Sequence, residues 1–478
     1  MAQGHLIPMI DIAKLLAQHG VAVTVITTPV NADRVRSTLT RAIELSGAQI
    51  SVKEVDFPWK EVGLPKSCEN LDQLPSLGLA GSFMDKGDEL LQRAVEKIFE
   101  ELRPKPNCII SDMSFPYTSF LAQKHGIPRI SFNGFSSFSW LCISNMWISI
   151  KEGFLDGVAS DCEPFLVPGM PHPVELTNDK LPFDMIKGMD QFNQRSEAAE
   201  ALSYGTIFNS FEELEHEYLS VFKGTMGQKA WCVGPVSLCN EEKMDRFHRG
   251  NKNSTDGSKC LKWLNSQESC SVVYICLGSI CNISTSQLIE LGLGLEASGR
   301  TFIWAIRDGE ASNGLLEWME DHDFDERIKD RGFVIRGWAP QVAILSHSAI
   351  GGFLTHCGWN STLEGICAGV TMLTWPLFAE QFCNERLVVD VLKIGVEIGA
   401  KRKVNWGEEE KNVGAVVKKE DIVKGIEELM GGGDERYKRK IRVKELSEVA
   451  KLALKPGGSS YMNIEMLIED ISRYEVGF

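Results

Sequence analysis

Short runs of β-branched and aromatic residues alternate with amphipathic stretches along the whole chain. In the first half an amphipathic segment from about Pro8 to His19 predicts a helix, and VAVTVITT over Val21–Thr28 predicts the buried strand that follows it. CIISD over Cys108–Asp112 predicts a strand ending on a carboxylate, and Arg129–Phe132 and Gly205–Asn209 predict two more. The pattern restarts at Ser271–Cys276, then a Ser/Thr-capped helix over Thr285–Ser298, then strands at Thr301–Ile306, Gly332–Ile335, Ala349–Leu354 and Thr371–Leu373. Strands separated by helices favour parallel sheets covered by helices on both faces.

The alternation is broken once, at Leu238–Lys259, a polar stretch without apolar periodicity. It predicts a linker over 238–259 between an N-terminal domain over 1–237 and a C-terminal domain over 260–455. The helical tail, 456–478, is expected to pack back on the first domain. A chain of 478 residues is long enough for two such cores. Two βαβ-type halves imply a cleft, where ligands usually bind. The longest uncharged run, Ile130–Ile150, has the length of a membrane span but carries six serines, two asparagines and a glycine. It reads as buried lining, so no membrane span is expected.

Charge and composition narrow the partners. A formal net charge of −15 disfavours nucleic acid. Thirteen cysteines without a C-x-x-C pair or zinc spacing fit reduced thiols. The chain opens on Met1-Ala2-Gln3-Gly4-His5 and not on a basic then apolar segment. A cytoplasmic monomer is expected, in which the N-x-S/T triplets at Asn253, Asn282 and Asn360 carry no glycan.

The residues with the clearest chemistry lie between Trp338 and Gln381. Trp338-Ala339-Pro340-Gln341 follows a strand, where proline stiffens a turn and an indole can stack on a base. Thr355-His356-Cys357-Gly358-Trp359-Asn360-Ser361-Thr362-Leu363-Glu364 reads as a strand end, a tight turn and a helix start. Such an N-terminus offers amides and a positive dipole end to a diphosphate. His356 can donate to the same anion, and Glu364 lies one turn in, in reach of ribose hydroxyls. Glu380 and Gln381 supply adjacent acceptors and donors for sugar hydroxyls. Singly, Trp338 and His356 read as core, and Ser361 and Thr362 as helix caps. Together they would require several coincidences at one turn.

The stretch resembles the signature box of plant secondary-product UDP-glycosyltransferases, with its W-A-P-Q opening, H-C-G-W-N-S core and E-Q ending. The resemblance extends to FNSFEELE at Phe208–Glu215, VGP at Val233–Pro235 and LGS at Leu277–Ser279. It implies an α/β chain of GT-B fold, with two Rossmann-like domains and the donor held mainly by the second. By position it assigns Trp338 to uracil stacking and Gln341 to the base or ribose, with Ala339 beside them. Glu364 would hold the ribose, and His356, Gly358, Asn360, Ser361 and Ser279 the diphosphate. Trp359, Glu380 and Gln381 would contact the sugar. The terminal glutamine is associated with glucose, where histidine accompanies galactose, so the implied donor substrate is UDP-glucose, with no metal or other cofactor. Similarity of MIDIAKLLA, FNGFSSFSW and VIRGWAPQV points to acceptors such as flavonoids and triterpenoids. Asn133, Phe135, Phe138 and Trp140 are candidate acceptor-pocket residues, though core residues would look the same.

Inverting transfer needs a base on the acceptor hydroxyl, and imidazole paired with a carboxylate suits that work. The resemblance implies His5 and Asp112 as this dyad; the residues alone also admit a frayed His5 and a helix-capping Asp112. In the family an apolar strand precedes the A-Q-G-H turn. Its first strand is therefore expected to be missing here, with neighbouring strands exposed and His5 on a mobile terminus. A weakly active or non-catalytic UDP-sugar binder is the alternative. Asp321, Asp323 and Asp325 form a D-x-D-like run, read as a solvated acidic loop, not a metal site. Gly292 and Gly294 lie within a predicted helix, outside the context of a dinucleotide fingerprint.

Overall fold

The computed structural model describes residues 2–153, 160–182, 189–250, 255–280, 283–307, 310–404 and 416–474. Asn253 and Asn282 lie outside them. By internal contacts the chain divides into two units. The first comprises 1–137, 186–241 and 451–478, and the second 138–185 and 242–450. The division falls at Glu241/Glu242, inside the expected linker, and places 138–185 with the second unit. The linker itself carries structure, including helices Lys243–His248 and Thr255–Leu264.

In the first unit the strands are β1 (Val23–Thr27), β2 (Ile50–Glu54), β3 (Ile109–Asp112) and β4 (Arg129–Asn133). A hairpin of β5 (Phe165–Leu166) and β6 (Glu175–Leu176) belongs to the second unit, and β7 (Gly205–Phe208) and β8 (Lys229–Cys232) return to the first. Among the described residues the parallel strands of the first unit form two sheets, β1-β2 and β3-β4-β7-β8. β4 and β7 are buried throughout, whereas β1 and the start of β3 are partly exposed. A parallel strand is normally covered on both faces. β2 escapes the sequence pattern because it is exposed at four of its five positions, and β8 was not expected either.

The helix expected from Pro8 instead runs over Gln3–Gln18, taking Pro8 inside and His5 into its first turn. Both sides of it are anchored. Ile12, Leu15 and Leu16 enter the core with Ile130, Phe132, Ile207 and Trp231, while Leu6 and Ile10 pack with Val35, Leu39 and Ile50. Burying each such side chain contributes about 1.5–3 kcal/mol. On the same helix Lys14 Nζ donates to Asn240 Oδ1 at 2.6 Å, and Asn240 Nδ2 donates to Asp11 Oδ1 at 2.9 Å. His5 is thus fixed by packing, against the expectation of a mobile terminus. The last helix, Ser459–Ser472, joins the same core through Ile464 and Leu467.

The second unit is built on β9 (Val272–Cys276), β10 (Thr301–Ile306), β11 (Gly332–Arg336), β12 (Ile350–Thr355), β13 (Met372–Thr374) and β14 (Gly395–Glu397). They form a parallel sheet in the order β11-β10-β9-β12-β13-β14. The chain moves outward from β9 to β11, then returns to lay β12 beside β9. The β9/β12 boundary is therefore the switch point, and open α/β sheets bind ligands at the carboxyl ends there. Helix Thr285–Ala297 contains Gly292 and Gly294 as packing residues; a Cβ on Gly294 would lie 2.7 Å from Ile422. The uncharged run becomes β4, a turn and helix Ser137–Lys151. Among the described residues no helix is long and apolar enough to cross a membrane, and every cysteine is free.

Two glycines make the packing testable. A Cβ on Gly205, in β7, would meet the Trp231 ring at 2.5 Å and Lys229 O at 2.7 Å. Gly224, in helix Glu212–Met226, has open space around it. Gly205→Ala should destabilise by about 1–3 kcal/mol through overpacking. Gly224→Ala should stabilise by about 0.5–1 kcal/mol. Chemical denaturation of both variants checks the pair, and equal effects would refute the packing argument.

Candidate active site

In the first unit three elements converge on one imidazole. His5 Nδ1 lies 2.6 Å from Asp112 Oδ2, with the His5 side chain 26% exposed and Asp112 1%. Asp112 closes β3, and its Oδ1 accepts from Ser114 N at 2.8 Å. Burial works against ionisation of Asp112, but the charge and hydrogen bond of His5 and the bonds from Ser114 together hold its carboxyl below the usual 3.8. The stabilisation from this shift is present above that value and is lost as pH falls through the lowered one. An ionised carboxylate only accepts, so Nδ1 carries the proton and Nε2 is the basic nitrogen.

The third element is the turn after β4. A Cβ on Gly134 would lie 2.8 Å from His5 Cε1 and 3.1 Å from Nδ1. Glycine here makes room for the ring, a requirement that only three-dimensional contact reveals. Of the residues expected around an acceptor, Asn133 Oδ1 accepts from Phe135 N at 3.0 Å. Phe138 is fully buried on helix Ser137–Lys151, and Trp140 is partly buried on the same helix.

In the second unit the expected donor residues gather at the sheet's carboxyl ends. Gly278 follows β9 at φ +85, and His356 follows β12. A Cβ on either Gly278 or Gly358 would lie 2.5 Å from His356 Nε2, so two glycines box the imidazole at the switch point. Burial lowers His356 to about 4, and its Nδ1 is buried without a hydrogen-bond partner. His356 is a neutral group here.

Cys357 turns the chain at φ +64, and helix Trp359–Ala368 starts at once with Gly358 as its N-cap. The helix opens two residues earlier than Ser361, so neither Ser361 nor Thr362 caps it. Ser361 Oγ instead accepts from Gln341 Nε2 at 3.0 Å, and the same amide donates to Glu364 Oε2 at 2.8 Å. Glu364 Oε1 lies 2.5 Å from Arg249 Nη1. Arg249, inside the expected linker, is a partner the polar sequence gives no sign of. Trp338 Nε1, after β11, is buried without a partner, and Ala339 O accepts from Gln341 N at 2.8 Å. The Ser279 carbonyl accepts from Arg307.

Glu380 and Gln381 lie just beyond Ala379, which has φ +53. Gln381 Oε1 accepts from Leu377 N at 2.8 Å and from Phe378 N at 3.1 Å. Two amide donors fix which atom is oxygen, so Nε2 is the donor. Glu380 Oε1 accepts from Trp359 N at 3.4 Å, tying this loop to the helix start beside Asn360. The acidic run is not the expected loop: Asp321 ends helix Glu310–Asp321, and Asp325, in helix Phe324–Ile328, pairs through Oδ2 with Arg336 at 2.6 Å. Among the described residues no three His, Cys, Asp or Glu side chains form a metal-binding group.

Comparison with known proteins agrees with this architecture. The family described as "UDP-glucoronosyl and UDP-glucosyl transferase" matches residues 239–447. UDP-glycosyltransferase 73C25 of Barbarea vulgaris is 51% identical over 473 residues, covering 98% of this chain and 94% of that one. UDP-glycosyltransferase 73C6 of Arabidopsis thaliana has the same identity and coverage. Among solved structures, Glycyrrhiza uralensis UGT73P12 complexed with glycyrrhetinic acid 3-O-monoglucuronide matches with TM-score 0.90 at 39% identity, over 99% of this chain and 94% of that one. Medicago truncatula UGT71G1 complexed with UDP-glucose matches with TM-score 0.75 at 28% identity, over 98% and 96%. The fold class is GT-B, UDP-sugars are the donor substrates, and the chain belongs to the plant UDP-glycosyltransferases, enzymes of glycosyl transfer.

Proposed function

We propose that this enzyme transfers glucose from UDP-glucose to a hydroxyl of a small hydrophobic plant metabolite, of flavonoid or triterpenoid type, with inversion at the anomeric carbon. The observation that carries the catalytic part is the 2.6 Å contact between His5 Nδ1 and buried Asp112. His5 Nε2 takes the acceptor proton as the hydroxyl oxygen bonds to the anomeric carbon. The bond from that carbon to the diphosphate oxygen breaks, and its electron pair leaves with UDP. Asp112 holds the tautomer and stabilises the imidazolium that forms.

On the donor side, Trp338 and Ala339 take the uracil, and Gln341 and Glu364 the ribose. The diphosphate falls to Ser279, His356 and the helix start at Gly358, Asn360 and Ser361, and the sugar to Trp359, Glu380 and Gln381. Two supports are the buried Nε1 of Trp338 and Nδ1 of His356, which have no hydrogen-bond partner within the protein, as do fourteen other buried side-chain atoms among the described residues, and which lie where the donor is proposed to bind. A third is the amide of Gln381, whose oxygen is taken by two backbone amides, so that Nε2 is the donor it can offer to a sugar hydroxyl. The UDP-glucose bound by the Medicago truncatula relative fits the glucose reading. The glycyrrhetinic acid 3-O-monoglucuronide complexed with the Glycyrrhiza uralensis enzyme fits an acceptor of triterpenoid type. Phe135, Trp140 and Asn133 are proposed to line the acceptor site, whereas Phe138, with no exposed surface, belongs to the core.

Three expectations follow from these assignments. His5→Ala and Asp112→Asn should each lower turnover by roughly 10²–10⁴-fold while UDP affinity stays within about twofold. Gly134→Ala should lower turnover as well, by displacing the ring; comparable losses of UDP binding in these variants would sink the dyad. With a panel of phenolic and triterpenoid acceptors and UDP-glucose, UDP-galactose and UDP-glucuronate, mass spectrometry should find the hexose product fastest from UDP-glucose. A faster reaction with either other donor would overturn the glucose reading. Because His356 is neutral, UDP-glucose affinity should be flat between about pH 6 and 8, where a histidine at its ordinary value would lose charge and weaken anion binding as pH rises. Calorimetric titration across that range decides it.

A further inference from the structure

Arg249 stands one residue beyond helix Lys243–His248, in extended conformation (φ −67, ψ 123). It and Glu364 are each 7% exposed, and Nη1 meets Glu364 Oε1 at 2.5 Å. The other carboxylate oxygen of Glu364 accepts from Gln341 Nε2 at 2.8 Å. A guanidinium withdrawn this far from water must be compensated by charge and hydrogen bonds, and removing either partner of a buried pair is costly. The pair is therefore a fixed feature of the donor side of the sheet, although the two residues are more than a hundred positions apart in the chain.

The geometry suits a diol. A carboxylate has about four acceptor positions, so the bonds from Arg249 and Gln341 leave capacity for two hydroxyl donors. Arg249 approaches one oxygen and Gln341 the other, which restricts rotation of the carboxylate plane. We infer that Arg249 is a positioning residue for donor recognition: it orients Glu364 as the acceptor for the two vicinal ribose hydroxyls. The inference rests on the reading of Glu364 as the ribose contact. It assigns the guanidinium to the carboxylate and not to the diphosphate, so the charge of Arg249 works through ribose selection. Lysine is a poor substitute, because it lacks the planar fork that fixes a carboxylate's orientation.

The test compares UDP with 2′-deoxy-UDP on the full-length chain by calorimetric titration. The unaltered chain should prefer UDP by roughly tenfold or more, the scale of a hydrogen bond to a charged group. Arg249→Gln should reduce that preference to about threefold or less, and Arg249→Lys should fall between. Glu364→Gln is measured in parallel. If it leaves the preference intact, the ribose reading fails and the inference with it. If Glu364→Gln removes the preference but Arg249→Gln leaves it at the unaltered level, the role of Arg249 alone is overturned. Weaker binding of both nucleotides by the same factor in Arg249→Gln marks a purely structural pair and also overturns it. Where Arg249→Gln yields no folded protein, Arg249→Lys decides: a reduced preference supports the role, an unaltered one refutes it.

Discussion

At Cys357 the chain leaves β12 through a left-handed residue that is not glycine, and the arrangement of the proposed donor site hangs on the bonds that hold it there. A non-glycine residue in this region costs on the order of 1–3 kcal/mol and persists only when its surroundings over-determine it. Cys357 N donates to Thr355 Oγ1 at 3.3 Å, and Asn384 Nδ2 donates to Cys357 O at 2.8 Å. Asn384 is in turn fixed by Ser139 Oγ, which donates to its Oδ1 at 2.7 Å. Because the reversal takes one residue, His356 is turned back against Gly278 while Gly358 already caps the next helix. Both the imidazole and the helix start follow from that single torsion.

The same turn explains how a chain of net charge −15 can take an anionic donor without a cluster of lysines. The positive potential proposed here comes from oriented amides at the start of Trp359–Ala368, which act at short range and lose little to the distant field of the protein. In the proposed site His356 would add a hydrogen bond and no charge, since burial holds it near 4. The formal cation buried nearby, Arg249, is committed to Glu364. Recognition on this reading is mostly directional, by hydrogen bonds of fixed geometry, which makes it less sensitive to salt than a phosphate site built on ion pairs.

Much of this was legible in the sequence where the physics is local. In the second unit β9 to β13 agree with their predicted ranges to within a residue or so, because buried parallel strands read as unbroken apolar runs, whereas β5, β6 and β14, of two or three residues each, were not expected. The signature between Trp338 and Gln381 marks loops that the structure does place at strand ends. The errors have physical causes too. Helix Gln3–Gln18 was misplaced because Pro8 reads as a helix start, whereas two buried faces outweigh its penalty inside. Arg249 was hidden in a polar stretch whose composition resembles a linker, and Gly134 in a loop where glycine needs no explanation. Both acquire meaning from contacts more than a hundred residues away, and no periodicity encodes those.

His5 shows how placement by packing substitutes for placement by a loop. The base proposed here must come within hydrogen-bond reach of the acceptor hydroxyl, roughly 2.6–3.2 Å between heavy atoms, and a residue in a helix's first turn inherits its position from the whole helix. Leu6 and Ile10 hold that helix on one side, and Ile12, Leu15 and Leu16 hold it on the other, so rotation in either direction would expose apolar surface. Asp11 and Lys14, bridged by Asn240, resist sliding along the axis because each buried polar group would lose its partner. What remains adjustable is the side chain, and there Asp112 binds one ring nitrogen while Gly134 leaves room that a Cβ would take from the ring. Precision at Nε2 is thus a property of the first unit's core, and changes made in that core should be read in turnover as well as in stability.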